Sequence, residues 1–173
     1  MRTKVGHFMR FLALAVCSAA FNVHPAHAQS RQTVQTVSAA PASAHSIAPL
    51  RDAKPLRLAL SLPLRNQQQL QTLIQQLNDP ASPNYHKFLT VGQFTAQFGP
   101  TAADYAKVLS FANSHGFKVT RTFPNRLVVN VTGSASTINQ AFHVTLGTYQ
   151  HPTEHRSFYA PDVEPTVETG VPI

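Results

Sequence analysis

Leu56-Arg57-Leu58-Ala59-Leu60-Ser61-Leu62-Pro63 alternates leucines with small or polar residues, the period of a half-buried strand. Pro63 has no N–H to give to a ladder and ends it. The period then changes. Leu70, Leu73, Ile74 and Leu77 recur at i, i+3, i+4 and i+7 among glutamines, which predicts a helix from about Gln67 to Asn78 with one apolar stripe. Burying those four side chains would contribute roughly 6 to 12 kcal/mol gross, most of it offset by chain entropy. Pro83 prevents the helix from running on, so Ser82-Pro83-Asn84-Tyr85-His86-Lys87-Phe88-Leu89-Thr90 must be a shaped connector. Its apolar content exceeds what a solvated loop needs. It is expected to pack on its own domain, with Tyr85 and Phe88 as its packing core, or on a partner.

Past the connector, Thr90 and Gln93 stand at capping-box spacing before a short turn carrying Phe94 and Phe98, which Gly99-Pro100 stops. Thr101 caps the next helix, with Asp104 in its first turn where the dipole favours a carboxylate. The apolar face of this helix is Tyr105, Val108, Leu109 and Ala112, with Phe111 at its margin, and Gly116 is a left-handed stop. Two strands follow, Lys118 to Phe123 and Leu127 to Thr132, joined by a turn at Pro124-Asn125-Arg126. Ile138, Ala141 and Phe142 give a last helix, and Val144 to Gln150 a last strand. The order strand, helix, strand, strand, helix, strand predicts an α+β fold over residues 54–151. It is a ferredoxin-like split βαβ, an antiparallel sheet with helices on one face.

Outside that core the chain reads differently. Residues 29–53 are rich in Gln, Ser, Thr and Ala, include Pro41 and Pro49, and hold no apolar period, as expected of a disordered leader. Residues 152–173, with Pro152, Pro161, Pro165 and Pro172, read as an extended exit segment. At the start, Arg2, Lys4 and Arg10 precede an apolar run from Phe11 to Val23 and the small-residue stretch Ala26-His27-Ala28. That is the form of a signal peptide over residues 1–28, cut before Gln29. The run is too short to span a bilayer, so the processed chain is expected to be secreted or periplasmic and not membrane-bound. The single cysteine, Cys17, lies in this segment, which excludes thiol chemistry and disulfides afterwards.

Charge and motifs narrow the function. Of fourteen Lys and Arg, three lie in the signal segment, leaving eleven scattered cations against seven Asp and Glu. A mild, dispersed excess argues against a nucleic-acid face and for a solvated surface or an acidic protein partner. His151-Pro152-Thr153-Glu154-His155 has the H-x-x-E-H form of an inverted zinc peptidase, but Pro152 follows a strand-like run and no helix period surrounds it, so a solvated loop is expected. No G-x-S-x-G turn is present, the carboxylates are dispersed, and no cofactor is implied. Asn130-Val131-Thr132 has the form of a glycosylation sequon but sits mid-strand. His86, His115, His143, His151 and His155 could together respond to acid.

Six ordered blocks carry a resemblance. They are Ser82 to Thr90, Gln97 to Tyr105, Ser114-His115-Gly116-Phe117, Asn125 to Val129, Ala141-Phe142-His143 and Arg156-Ser157-Phe158-Tyr159-Ala160-Pro161. In order and spacing, over roughly Lys54 to Pro165, they resemble the activation prodomain of the sedolisin (kumamolisin-like) serine-carboxyl peptidases. The resemblance implies a ferredoxin-like core akin to subtilisin propeptides. It also implies a domain that assists folding of its peptidase, covers the active-site cleft, and is cut away in acid. A full member continues into a domain with a Glu, Asp and Ser triad, its serine in a Gly-Thr-Ser motif, and a calcium site. This sequence contains no Gly-Thr-Ser, so no catalytic residue carries over and no peptidase activity is expected. The chain is then expected to be a truncated or split precursor or a free-standing prodomain.

The expected partner is the sedolisin-type catalytic domain, in cis or in trans. The sheet face or edge would dock on it, and the exit segment would run beside the cleft as a substrate-like strand. The candidate partner-binding residues are Tyr85, His86, Phe88, Arg156, Phe158 and Tyr159, the last two as aromatic anchors. The alternative is a secreted binding module of the same fold without a peptidase partner.

Overall fold

The alternation at Leu56 to Leu62 becomes a strand because its register sets every leucine opposite the apolar residues of a second strand. The computed structural model describes residues 30–34, 39–41, 43–52 and 55–173, and the signal segment lies outside them. In chain order the elements are β1 (Arg31–Thr33), β2 (His45–Pro49), β3 (Leu56–Ser61), α1 (Gln67–Asn78), α2 (Val91–Gln97), α3 (Ala102–Ser114), β4 (Lys118–Thr122), β5 (Val128–Gly133), α4 (Ala135–Phe142), β6 (Leu146–Gln150), β7 (Ser157–Pro161) and β8 (Thr166–Glu168).

Strand β5 is the centre of an antiparallel sheet of order β3-β5-β4. Leu58 lies opposite Val131 and Leu60 opposite Val129, while Val119 of β4 meets Val131 from the other side. One face is thereby apolar, and α3 and α4 cover it with Val108, Phe111 and Ala112 and with Ala135, Ile138, Ala141 and Phe142. Phe142 packs edge-on against Phe111 at 5.8 Å between ring centres and lies 6.1 Å from Phe117. Phe111 is thus inside the core, not at the margin of its helix. The α+β class, the antiparallel pairing and the central strand order of a split βαβ all stand. The two capping expectations stand too: Thr90 and Gln93 form a reciprocal capping box and Thr101 caps α3, while Ser134, not read as a cap from the sequence, caps α4.

Three expectations are corrected. Strand β6 does not join β3. It is the middle of a second antiparallel sheet of order β2-β6-β7, and with both edges taken it has none left for β3. Residues 29–53 are not a uniformly disordered leader, because β1 and β2 lie within them; β1 pairs with β8, and β2 with β6. Nor does the proline-rich end exit: β7 folds back along β6, and Val167 of β8 is wholly buried. The burial expected of α1 is corrected as well. The helix spans Gln67–Asn78 as read, yet none of its residues is buried and Ile74 is 43% exposed, so the expected burial energy of its stripe is largely unrealised in this fold.

The junction of α2 and α3 allows a direct test. A Cβ on Gly99 would stand 2.8 Å from the Thr95 carbonyl oxygen, a backbone atom with no rotamer to yield. The Gly99 carbonyl also accepts from Arg65 Nε, and Arg126 Nε donates to the Pro100 carbonyl at 2.8 Å. Gly99→Ala should cost about 1–3 kcal/mol, read as a lowered urea midpoint at unchanged slope.

Candidate functional site

The connector after α1 is a string of turns held to the helix it leaves. Asn84 Nδ2 donates to Gln76 Oε1 at 2.8 Å, the His86 N–H donates to the Leu77 carbonyl at 3.1 Å, and His86 takes a left-handed φ of 54°. That bend stacks three rings. Tyr85 lies 3.8 Å from His86 between centres, and His86 lies 5.9 Å from Phe88, both pairs nearly parallel. The ladder does not face inward: Tyr85 is 39% and Phe88 73% exposed. The packing-core role expected of Tyr85 and Phe88 is therefore corrected. Their rings cover one another and leave an apolar surface continued by the exposed Val91.

The other three candidates sit around β7. Phe158 is half-buried and stacks on Tyr149 at 5.7 Å, a cross-strand pair inside the second sheet. Tyr159 points the opposite way and is 59% exposed. Arg156 is engaged with the Glu154 carboxylate at the tip of the β6–β7 hairpin, and Gln150 Nε2 donates to the carbonyls of both residues. The H-x-x-E-H stretch forms this tip. His151 Nδ1 accepts the backbone N–H groups of Thr153 and Glu154, the role of a turn residue.

A further surface was not read from the sequence. On the face of β3-β5-β4 opposite the helices, the register brings Arg57, Thr132 and Lys118 into one row and Ala59, Asn130 and Arg121 into the next. The depression there is lined by Arg57, Ala59, Thr120, Arg121, Asn130 and Thr132 among others, with no carboxylate. In sequence these cations are dispersed. Only the pairing of β3 and β4 on opposite edges of β5 gathers them.

Two carboxylates tie outlying segments to the core. The Ser136 hydroxyl and N–H hold Asp52 below the ordinary carboxylate range, and Asp52 Oδ1 accepts that N–H at 2.8 Å at the start of α4. The Thr145 N–H, 2.7 Å from Asp162 Oδ1, holds Asp162 below that range in the same way. At the hairpin tip, Arg156 and then His151 depress Glu154.

Two outcomes follow. Phe88→Ser should leave stability within about 0.5 kcal/mol, whereas Phe158→Ala should cost about 1–3 kcal/mol, both read from urea melts. The depressed carboxylates contribute stability that is present above their unfolded values near ~4 and lost as pH falls through their lower folded values. The melting temperature should therefore drop below about pH 4, and Asp162→Asn should flatten that drop.

Residues 42–170 match the family described as Pro-kumamolisin, activation domain. Sedolisin of Pseudomonas sp. (strain 101) is 36% identical over 145 residues, covering 80% of this chain and 25% of that protein. Xanthomonalisin of Xanthomonas sp. (strain T-22) is 32% identical over 117 residues, covering 68% of this chain and 14% of that protein. The chain thus spans at most about a quarter of the length of these relatives.

Proposed function

The chain belongs to the pro-kumamolisin activation domain family, and on that premise we propose that it is a secreted propeptide which assists folding of a sedolisin-type acid peptidase and holds it inactive until cleaved. The match over residues 42–170 carries this reading, since it takes in all of β3 to β8. Residues 1–28 would be the signal peptide, and the folded body would take in both β1 and β8, which pair with each other. Among the described residues no helix is long and apolar enough to cross a membrane.

The docking surface is the open sheet face. Arg57, Lys118 and Arg121 give it positive charge without a carboxylate among its lining residues, so the peptidase surface it meets should be acidic. Such pairs weaken when the partner's carboxylates take up protons, which releases the domain in acid. The exposed Tyr85, His86, Phe88 ladder and Tyr159 would supply apolar anchors in addition to that charge. Phe158 supports Tyr159 from within the sheet, and Arg156 keeps the hairpin tip in shape.

The purified chain should inhibit a sedolisin-type catalytic domain prepared without its own propeptide when the two are mixed at pH 7. No inhibition would sink the proposal. Lys118→Glu with Arg121→Glu should weaken inhibition about tenfold at an unchanged melting temperature, and the difference from wild type should shrink as pH falls.

A further inference from the structure

The backbone of β3 is committed on one side only. The Leu62 N–H donates to the Leu127 carbonyl at 2.8 Å, and the register continues this hydrogen-bonded set through Leu60, Leu58 and Leu56. Arg57, Ala59 and Ser61 therefore turn their N–H and C=O groups away from β5. Among the described residues, no strand pairs with that edge and no hydrogen bond reaches those groups. A split βαβ would seat its fourth strand here, and β6 is engaged elsewhere.

A second free edge faces the same space. The His151 N–H donates to the Arg156 carbonyl, so the bonded set of the β6–β7 hairpin runs through Phe158 and Ala160, and Tyr159 and Pro161 turn outward. The Pro161 carbonyl is taken by the Ala40 N–H at 2.8 Å, and among the described residues none reaches the N–H and C=O of Tyr159. Between the two edges lies a groove of about 360 Å³, lined by all of β3, by Tyr159 and Pro161, and at its floor by Phe142, Val144 and Leu146. No residue of β5 lines it, which puts it on the free side of β3. Val34, Pro165 and Ile173 of this chain line it as well, and its lining side chains include one cation, Arg57, and no carboxylate.

We propose that this groove is a strand-insertion site that takes one extended segment of the peptidase partner, with apolar residues at alternate positions and a carboxylate beside Arg57. The proposal rests on the propeptide reading for its source of the strand. Edges on both sides can pair with a single chain, joining β4-β5-β3 to β7-β6-β2 as one sheet. Side chains turned to the floor meet Phe142, Val144 and the leucines of β3, and the alternate ones face Arg57.

The test titrates the chain with a fluorophore-labelled, end-blocked peptide Thr-Val-Asp-Val-Thr-Val and with its Lys-for-Asp counterpart. Saturable binding of the Asp peptide in preference to the Lys peptide is expected. Ala59→Pro removes an N–H that points into the groove and leaves the β3–β5 ladder intact, so it should weaken peptide binding about fivefold or more. Arg57→Glu should reverse the preference between the two peptides, and it decides the matter if Ala59→Pro fails to fold. Absence of saturable binding, or equal binding by wild type and both variants, overturns the proposal. Inhibition of a sedolisin-type catalytic domain should weaken in step in Ala59→Pro; undiminished inhibition overturns the peptidase as the source of the strand. If wild type binds the peptide but inhibits no such peptidase, the propeptide reading falls and takes the assigned source with it.

Discussion

Strand β5 pairs along both of its edges and carries Val129 and Val131 wholly inside the core, and the placing of the other elements follows from that double commitment. Its apolar residues set the register of β3 and β4, because a slip of one residue would turn the leucines of β3 to solvent. The same alternation creates the opposite face. Once Leu58 and Val131 point to the helices, Arg57, Asn130 and Thr132 must point away, so the cationic surface is a by-product of the pattern that builds the core.

What the sequence made legible was whatever is local. Helix α1 was read to the residue, and the capping side chains Thr90, Gln93 and Thr101 act as their spacing implied, since a cap is decided within three residues. The losses are long-range. Strand β1 has three residues and every residue of β2 is exposed, so neither carries an apolar period to read, and their partners lie far along the chain, in β8 and β6. The same limit applied to the candidate site. Tyr85 and Phe88 were recognised as too apolar for a solvated loop, but nothing local could say that their rings stack outward on His86. The cations of the sheet face were judged scattered because cross-strand register is invisible along the chain.

The surfaces that bear on function share a physical character: each is a finished piece of structure with one side left uncovered. Among the described residues the sheet has a helix-covered face and a bare one, β3 has a paired edge and an unpaired one, and the connector buries its backbone in turns while its rings stand in solvent. A domain of this kind loses little conformational freedom when it meets a partner, so its affinity depends on complementarity more than on ordering.

The pairing of β1 with β8 brings Arg31 opposite Glu168, nearly the whole described chain apart. During synthesis the sheet around β5 and its two helices can begin to assemble once Phe142 has emerged, because the contacts they make with one another lie within that stretch. Strand β1 must wait, although it precedes that sheet in the chain, since its partner β8 is made more than a hundred residues later. Closure of the domain is thus a timed event that cannot precede the making of β8.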